Sequence, residues 1–106
     1  MRRDVFQAIA DPTRREIISL LASQQLNLNA VADKFDISRP AISKHIRILT
    51  ECGLVVMKQH GRERFCQANF KKLKLVEDWA AQYRNFWNDK LDALESFLDE
   101  EKTKQP

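Results

Sequence analysis

Apolar residues recur at helical spacing through most of this chain, and one stretch from Ser38 to Phe65 breaks that rhythm twice. Ile42, Ile46 and Leu49 stand three and four apart, so they define one buried stripe of a helix that opens after Ser38, a good N-cap. Ala41, His45, Ile48 and Cys52 flank that stripe, while Pro40, Ser43, Lys44 and Arg47 fall on the opposite side. Gly53, followed by apolar Leu54, marks a left-handed helix stop of the Schellman kind. Upstream, Val31, Ala32 and Phe35 predict a short helix capped by Asn29, and Asp36-Ile37 makes a tight corner in which Asp36 supplies a left-handed residue. Downstream, Leu54–Met57 and Arg64–Ala68 read as two strands with His60-Gly61 at the turn between them.

The flanks complete the pattern. Val5, Phe6 and Ile9 give one face of a first short helix. Asp11 then caps a second helix with Pro12 in its first turn, and Ile17, Ile18, Leu20 and Leu21 bury it. From Leu73 to Leu98 no Gly or Pro intervenes, and Val76, Trp79, Tyr83, Phe86, Trp87, Leu91, Leu94, Phe97 and Leu98 line one side of a long amphipathic helix. The expected fold is mainly α with a small β-hairpin: a winged helix-turn-helix with a long C-terminal dimerisation helix. It forms one domain over residues 1–106, with a reading core at 12–68 and the long helix at 70–99.

Charge sharpens this picture. The net charge of +3 hides a polarised chain. Residues 1–74 carry fourteen Lys/Arg against seven Asp/Glu, and residues 75–106 carry four against eight. The first part attracts a polyanion and the second is acidic and solvated. No apolar run approaches the ~18 residues of a membrane span, and no secretory leader is recognisable, so no membrane partner is expected. Cys52 and Cys66 lack paired spacing, which points to reduced thiols and a cytoplasmic location. Packing as small core residues accounts for both, and a thiol switch is the sharper alternative.

The outer face of the Ser38 helix has short side chains first and cations further along, as a helix entering the DNA major groove requires. Candidate DNA contacts on it are Ser38, Arg39, Pro40, Ser43, Lys44 and Arg47, with Thr50 a weaker one. Arg39 is placed to pair bidentately with a guanine, and Lys44 and Arg47 to clamp phosphates. In the hairpin, Lys58, His60, Arg62 and Arg64 surround the turn, where Arg suits a narrow minor groove. His45 is expected to pack or cap rather than touch DNA, and Arg14 and Arg15 to be solvated or paired with a carboxylate, a phosphate contact being the alternative. The long helix carries more aromatic surface than a small winged domain can cover, so a second copy is expected against Phe6, Val76, Trp79, Tyr83, Phe86, Trp87, Leu91 and Leu94.

The segments ADPTRREIISLL, SRPAISKHIRILTECGLV and KQHGRERFCQA, in this order, resemble the ArsR/SmtB family of bacterial transcriptional repressors over roughly residues 4–98. The resemblance implies a dimeric winged helix whose second motif helix enters the major groove, and a repressor that often governs its own operon. The best-known members sense thiophilic metals through a Cys-x-Cys pair, and those places fall on Asn27 and Asn29 here. Neutral amides do not replace thiolates as soft-metal ligands. A second family metal site places His and carboxylates on the long helix, but the only histidines here are His45 and His60. The chain thus resembles the non-metal branch, with Trp79, Tyr83 and Trp87 spaced four apart; no metal and no cofactor are expected.

The expected function is a sequence-specific, homodimeric DNA-binding repressor acting on double-stranded DNA with an inverted repeat, its releasing signal left open. The alternative is a winged helix that docks an acidic protein. No Ser/His/Asp set, phosphate-cradling glycine loop or carboxylate pair in a cleft suggests an enzyme.

Overall fold

The computed structural model describes residues 4–104, Lys104 without its side chain. Seven elements follow in order: α1 (Val5–Ile9), α2 (Pro12–Ser23), α3 (Leu28–Asp33), α4 (Arg39–Glu51), β1 (Val55–His60), β2 (Glu63–Ala68) and α5 (Phe70–Lys104). They divide into two units, residues 1–76 and 77–106.

In the first unit each helix begins where a short polar side chain can replace missing backbone acceptors. Asp4 and Gln7 form a reciprocal capping box on α1. Asp11 accepts from the Arg14 N–H at 3.1 Å with Pro12 just inside α2, as the sequence predicts. Ser38 accepts from the Ala41 N–H at 3.3 Å and opens α4. The cap of α3 is a correction: Asn27, not Asn29, accepts from the Ala30 N–H at 2.8 Å. The earlier start brings Leu28 into the helix, where it packs against the core.

The corner between α3 and α4 also differs from expectation. No non-glycine residue has a positive φ among the described residues, so Asp36 is not left-handed. The helix instead ends at Asp33, Lys34 stays right-handed at φ −86°, and the chain turns over Lys34–Ile37. Phe35 lies in that turn rather than in the helix, yet its ring still packs against the core.

The core lies where α2, α3 and α4 meet the hairpin. Ile17, Leu21, Val31, Ile42, Leu49, Leu54, Val55 and Cys66 are its largest fully buried side chains. Each such aliphatic group contributes on the order of 1.5–3 kcal/mol relative to leaving it in water.

β1 and β2 pair antiparallel from Val55↔Ala68 to His60↔Glu63. Val55, Met57, Cys66 and Ala68 therefore share the inward face, and Val56, Lys58, Phe65 and Gln67 the other. Both strands exceed the expected segments, and the turn is Gly61-Arg62 rather than His60-Gly61. Gly61 takes φ +64° at the first central position, where two-residue hairpins favour glycine. Leu26 adds a bridge on the free side of β2, its N–H donating to Cys66 O at 3.2 Å and its carbonyl accepting from the Cys66 N–H at 2.7 Å.

α5 begins beside the hairpin. The Asn69 N–H donates to Leu54 O at 2.8 Å, its amide Nδ2 donates to Gly53 O at 3.0 Å, and its Oδ1 accepts from the Lys71 N–H at 3.2 Å. Leu73 and Val76 pack against the core. The second unit, taken by itself, is the continuing helix to Lys104, longer than the expected end near residue 99.

Candidate nucleic-acid interface

The inner side of α4 is fixed by Ile42, Ile46, Ile48 and Leu49, all buried. Helical geometry then forces Arg39, Pro40, Ser43, Lys44 and Arg47 outward, and all five are exposed, as is Ser38 at the cap. Pro40 sits in the first turn, where its missing N–H removes no helical bond. Among the described residues Arg39, Lys44 and Arg47 make no ion pair, so their charge faces solvent unneutralised. Thr50 is exposed, but its hydroxyl donates to Ile46 O at 2.8 Å.

Lys58, His60, Arg62 and Arg64 are exposed on the outer half of the hairpin. Their directions differ. Lys58 and His60 share the face of Phe65, and the His60 and Phe65 rings lie 5.5 Å apart at 56°. Arg64 lies on the opposite face beside Gln59, and Arg62 occupies the tip. The wing thus offers cations on both faces and at its end.

His45 is half-buried and its Nδ1 lies 3.3 Å from Nη1 of Arg14. Arg14 is not simply paired with a carboxylate: it also donates to main-chain carbonyls at the end of α1, and Arg15 donates to Ile9 O at 2.7 Å. Burial pushes the Asp11 carboxyl up, but the Arg14 N–H, the Arg14 guanidinium, the His45 ring and the Thr13 N–H together hold it below its usual value.

Both cysteines are buried. Burial raises the Cys66 thiol against a weaker lowering by Arg64, and its Sγ lies 3.6 Å from the Met57 sulfur. A buried thiol with a raised pKa is a poor nucleophile. The Cys52 thiol donates to Asp4 O at 3.5 Å. Asn27, at the place of one family cysteine, is committed to its capping bond, and Asn29 is exposed. Among the described residues no three His, Cys, Asp or Glu side chains group so as to hold a metal ion.

On α5, every described side chain from residue 77 onward is exposed in the single chain. Trp79 is 51% exposed, Tyr83 47% and Trp87 63%, and Phe86, Leu91 and Leu94 are similar. Trp79 packs on Tyr83 at 5.3 Å, Phe86 on Trp87 at 6.3 Å, and Lys90 Nζ stands 5.4 Å over the Phe86 ring. Phe6 on α1 is also exposed, whereas Val76 packs against the core of its own chain.

The model of bacterial regulatory proteins of the arsR family matches residues 11–56, which span α2 through α4 and the start of β1. The transcriptional repressor SdpR of Bacillus subtilis is 33% identical over 82 residues, covering 77% of this chain and 91% of the relative. The chain belongs to the ArsR family. A second relative, an HTH-type transcriptional regulator of Mycobacterium tuberculosis, is 31% identical over 96 residues, 91% of this chain and 87% of its own. Among solved structures, an ArsR-like transcriptional regulator from Rhodococcus sp. RHA1 is 31% identical with a TM-score of 0.69 and covers 88% of each chain. The fold is accordingly the winged helix-turn-helix of ArsR regulators. Among the described residues no helix is long and apolar enough to cross a membrane.

Proposed function

We propose that this ArsR-family chain is a transcriptional repressor that reads DNA as a homodimer, with α4 in the major groove. One observation carries the reading: the outer face of α4 presents small Pro40 and Ser43 beside the unneutralised cations Arg39, Lys44 and Arg47, over a buried inner stripe. Short residues let the backbone approach the base edges, and the cations displace counterions from the phosphates. Arg39 pairs with a guanine, Ser43 hydrogen-bonds a base or phosphate, and Lys44 and Arg47 hold the backbone. Lys58, Arg62 and Arg64 bring the wing to the flanking phosphates or minor groove, with the His60 ring tilted against Phe65 on the Lys58 face.

The exposed aromatic stripe of α5 and, separately, the exposed Phe6 of α1 support pairing with a second copy, which places two α4 helices on one face of the duplex. The target is then an inverted repeat, its own promoter among the candidates. The chain acts as a cytoplasmic regulator, not as an enzyme, in keeping with relatives named as transcriptional repressors and regulators. A mobility-shift titration with DNA upstream of its own gene, at about 150 mM salt with nonspecific competitor, tests this. A shifted complex that survives competitor is expected, and loss of all sequence preference contradicts the reading.

A further inference from the structure

Arg14 belongs to none of the surfaces above, yet its side chain is only 15% exposed and spans three elements. Its Nε donates to Ala8 O at 2.7 Å and its Nη2 to Gln7 O at 3.2 Å, at the carbonyl end of α1, where Gln7 O also accepts from the Ala10 N–H. Nη1 lies 4.0 Å from the Asp11 carboxylate at the cap of α2, and 3.3 Å from Nδ1 of His45 on α4. A guanidinium has no acceptor, so a hydrogen bond across this contact requires Nδ1 of His45 as the acceptor. One planar group thus ties the end of α1 and the start of α2 to the flank of the helix that carries Arg39, Ser43, Lys44 and Arg47.

We propose that Arg14 is a positioning residue for DNA reading, which fixes the seating of α4 through the acceptor nitrogen of His45. The inference rests on α4 being the recognition helix. His45 directly follows Lys44 and sits two residues from Arg47, so a shift at His45 carries these side chains with it. A helix free to rock holds its competent seating for only part of the time, and apparent affinity drops by that fraction. Arg14 is suited to the task because its donors form a rigid fork, which a lysine cannot reproduce.

The test is an acceptor series at position 45 in the full chain, read by DNA titration and by urea denaturation. His45→Gln keeps an acceptor within reach of Arg14, and His45→Leu keeps bulk without one. We expect His45→Leu to weaken binding to the upstream duplex roughly tenfold and His45→Gln to stay within about twofold. In an Arg14→Met background the two variants are expected to bind alike, the signature of a coupled pair. Equal binding by both variants with Arg14 present, or a difference that persists after Arg14→Met, overturns the proposal. So does a lowered urea midpoint with unchanged affinity, the mark of a contact that only holds the fold. Should His45→Leu not fold, Arg14→Lys carries the same test: a roughly tenfold loss supports the proposal and an unchanged affinity overturns it. Wild-type protein that ignores every duplex fails the DNA-reading function itself and this inference with it. Wild-type binding at full strength beside indifferent variants fails the inference alone.

Discussion

The backbone N–H of Leu54 donates to the carbonyl of Leu49 at 2.9 Å, spanning Gly53 and closing α4. With the Gly53 N–H on Thr50 O at 3.0 Å, this is the paired bonding of a Schellman stop, and it turns the chain directly from the reading helix into the wing. Gly53 stands at φ +78°, and a Cβ there would meet Lys72 Cε at 3.1 Å. Gly53→Ala is therefore expected to cost about 1–2 kcal/mol, mostly from backbone strain because Lys72 can move aside. Urea denaturation measures it; a midpoint equal to wild type would contradict the expectation.

Specific and nonspecific contacts separate by their variants. Arg39→Ala is expected to relax preference at one position of each half-site, by about 1–3 kcal/mol of discrimination. Arg62→Ala is expected to weaken binding to all sequences and to flatten the salt dependence. Titrations against operator variants at several salt concentrations distinguish the two, and an unchanged sequence preference for Arg39→Ala would remove that assignment.

Asp11 links acidity to stability. Its folded pKa lies below the ordinary value of 3.8, so its carboxylate contributes stability above that pH. The contribution is lost as pH falls through the lowered folded pKa. Asp11→Asn keeps a capping side chain and removes the charge. The variant is expected to be less stable than wild type near neutral pH, with the gap closing below about pH 4. A gap independent of pH, measured by denaturation across that range, would show that the Arg14 charge does not matter to this cap.

The α5 stripe predicts assembly. Trp87→Asp puts a charge where an aromatic ring now stands 63% exposed. The variant is expected to sediment as a monomer at micromolar concentration and to bind duplex DNA at least tenfold more weakly, since a single reader loses the second half-site. Dimers of unchanged stability would shift the interface away from this face.

Local signals were legible and distant ones were not. The Asp11-Pro12 start, the Ser38 cap, the Gly53 stop and the buried Ile42, Ile46 and Leu49 all follow from neighbours within one or two turns. The pattern points to Asn29 as the α3 cap, whereas Asn27, two residues earlier, fills that place and brings Leu28 into the helix against the core. The Leu26 bridge to Cys66 joins segments forty residues apart, which periodicity does not see. The Arg14 cluster was hidden for the same reason, since its acceptors come from α1 and α4. The expected hairpin turn lies one residue early because His60-Gly61 and Gly61-Arg62 both contain the glycine, and the pairing of His60 with Glu63 keeps His60 in the strand. The end of α5 was set too early because its last turn is polar and carries no apolar stripe.

Hydroxyl-radical footprinting of the purified protein on the DNA upstream of its own gene tests the central claim most directly. The account predicts two symmetric protected tracts on one face of the duplex, their centres about one helical turn apart, at about 150 mM salt. A single tract, or protection that is indifferent to sequence, would contradict a paired reader built on α4.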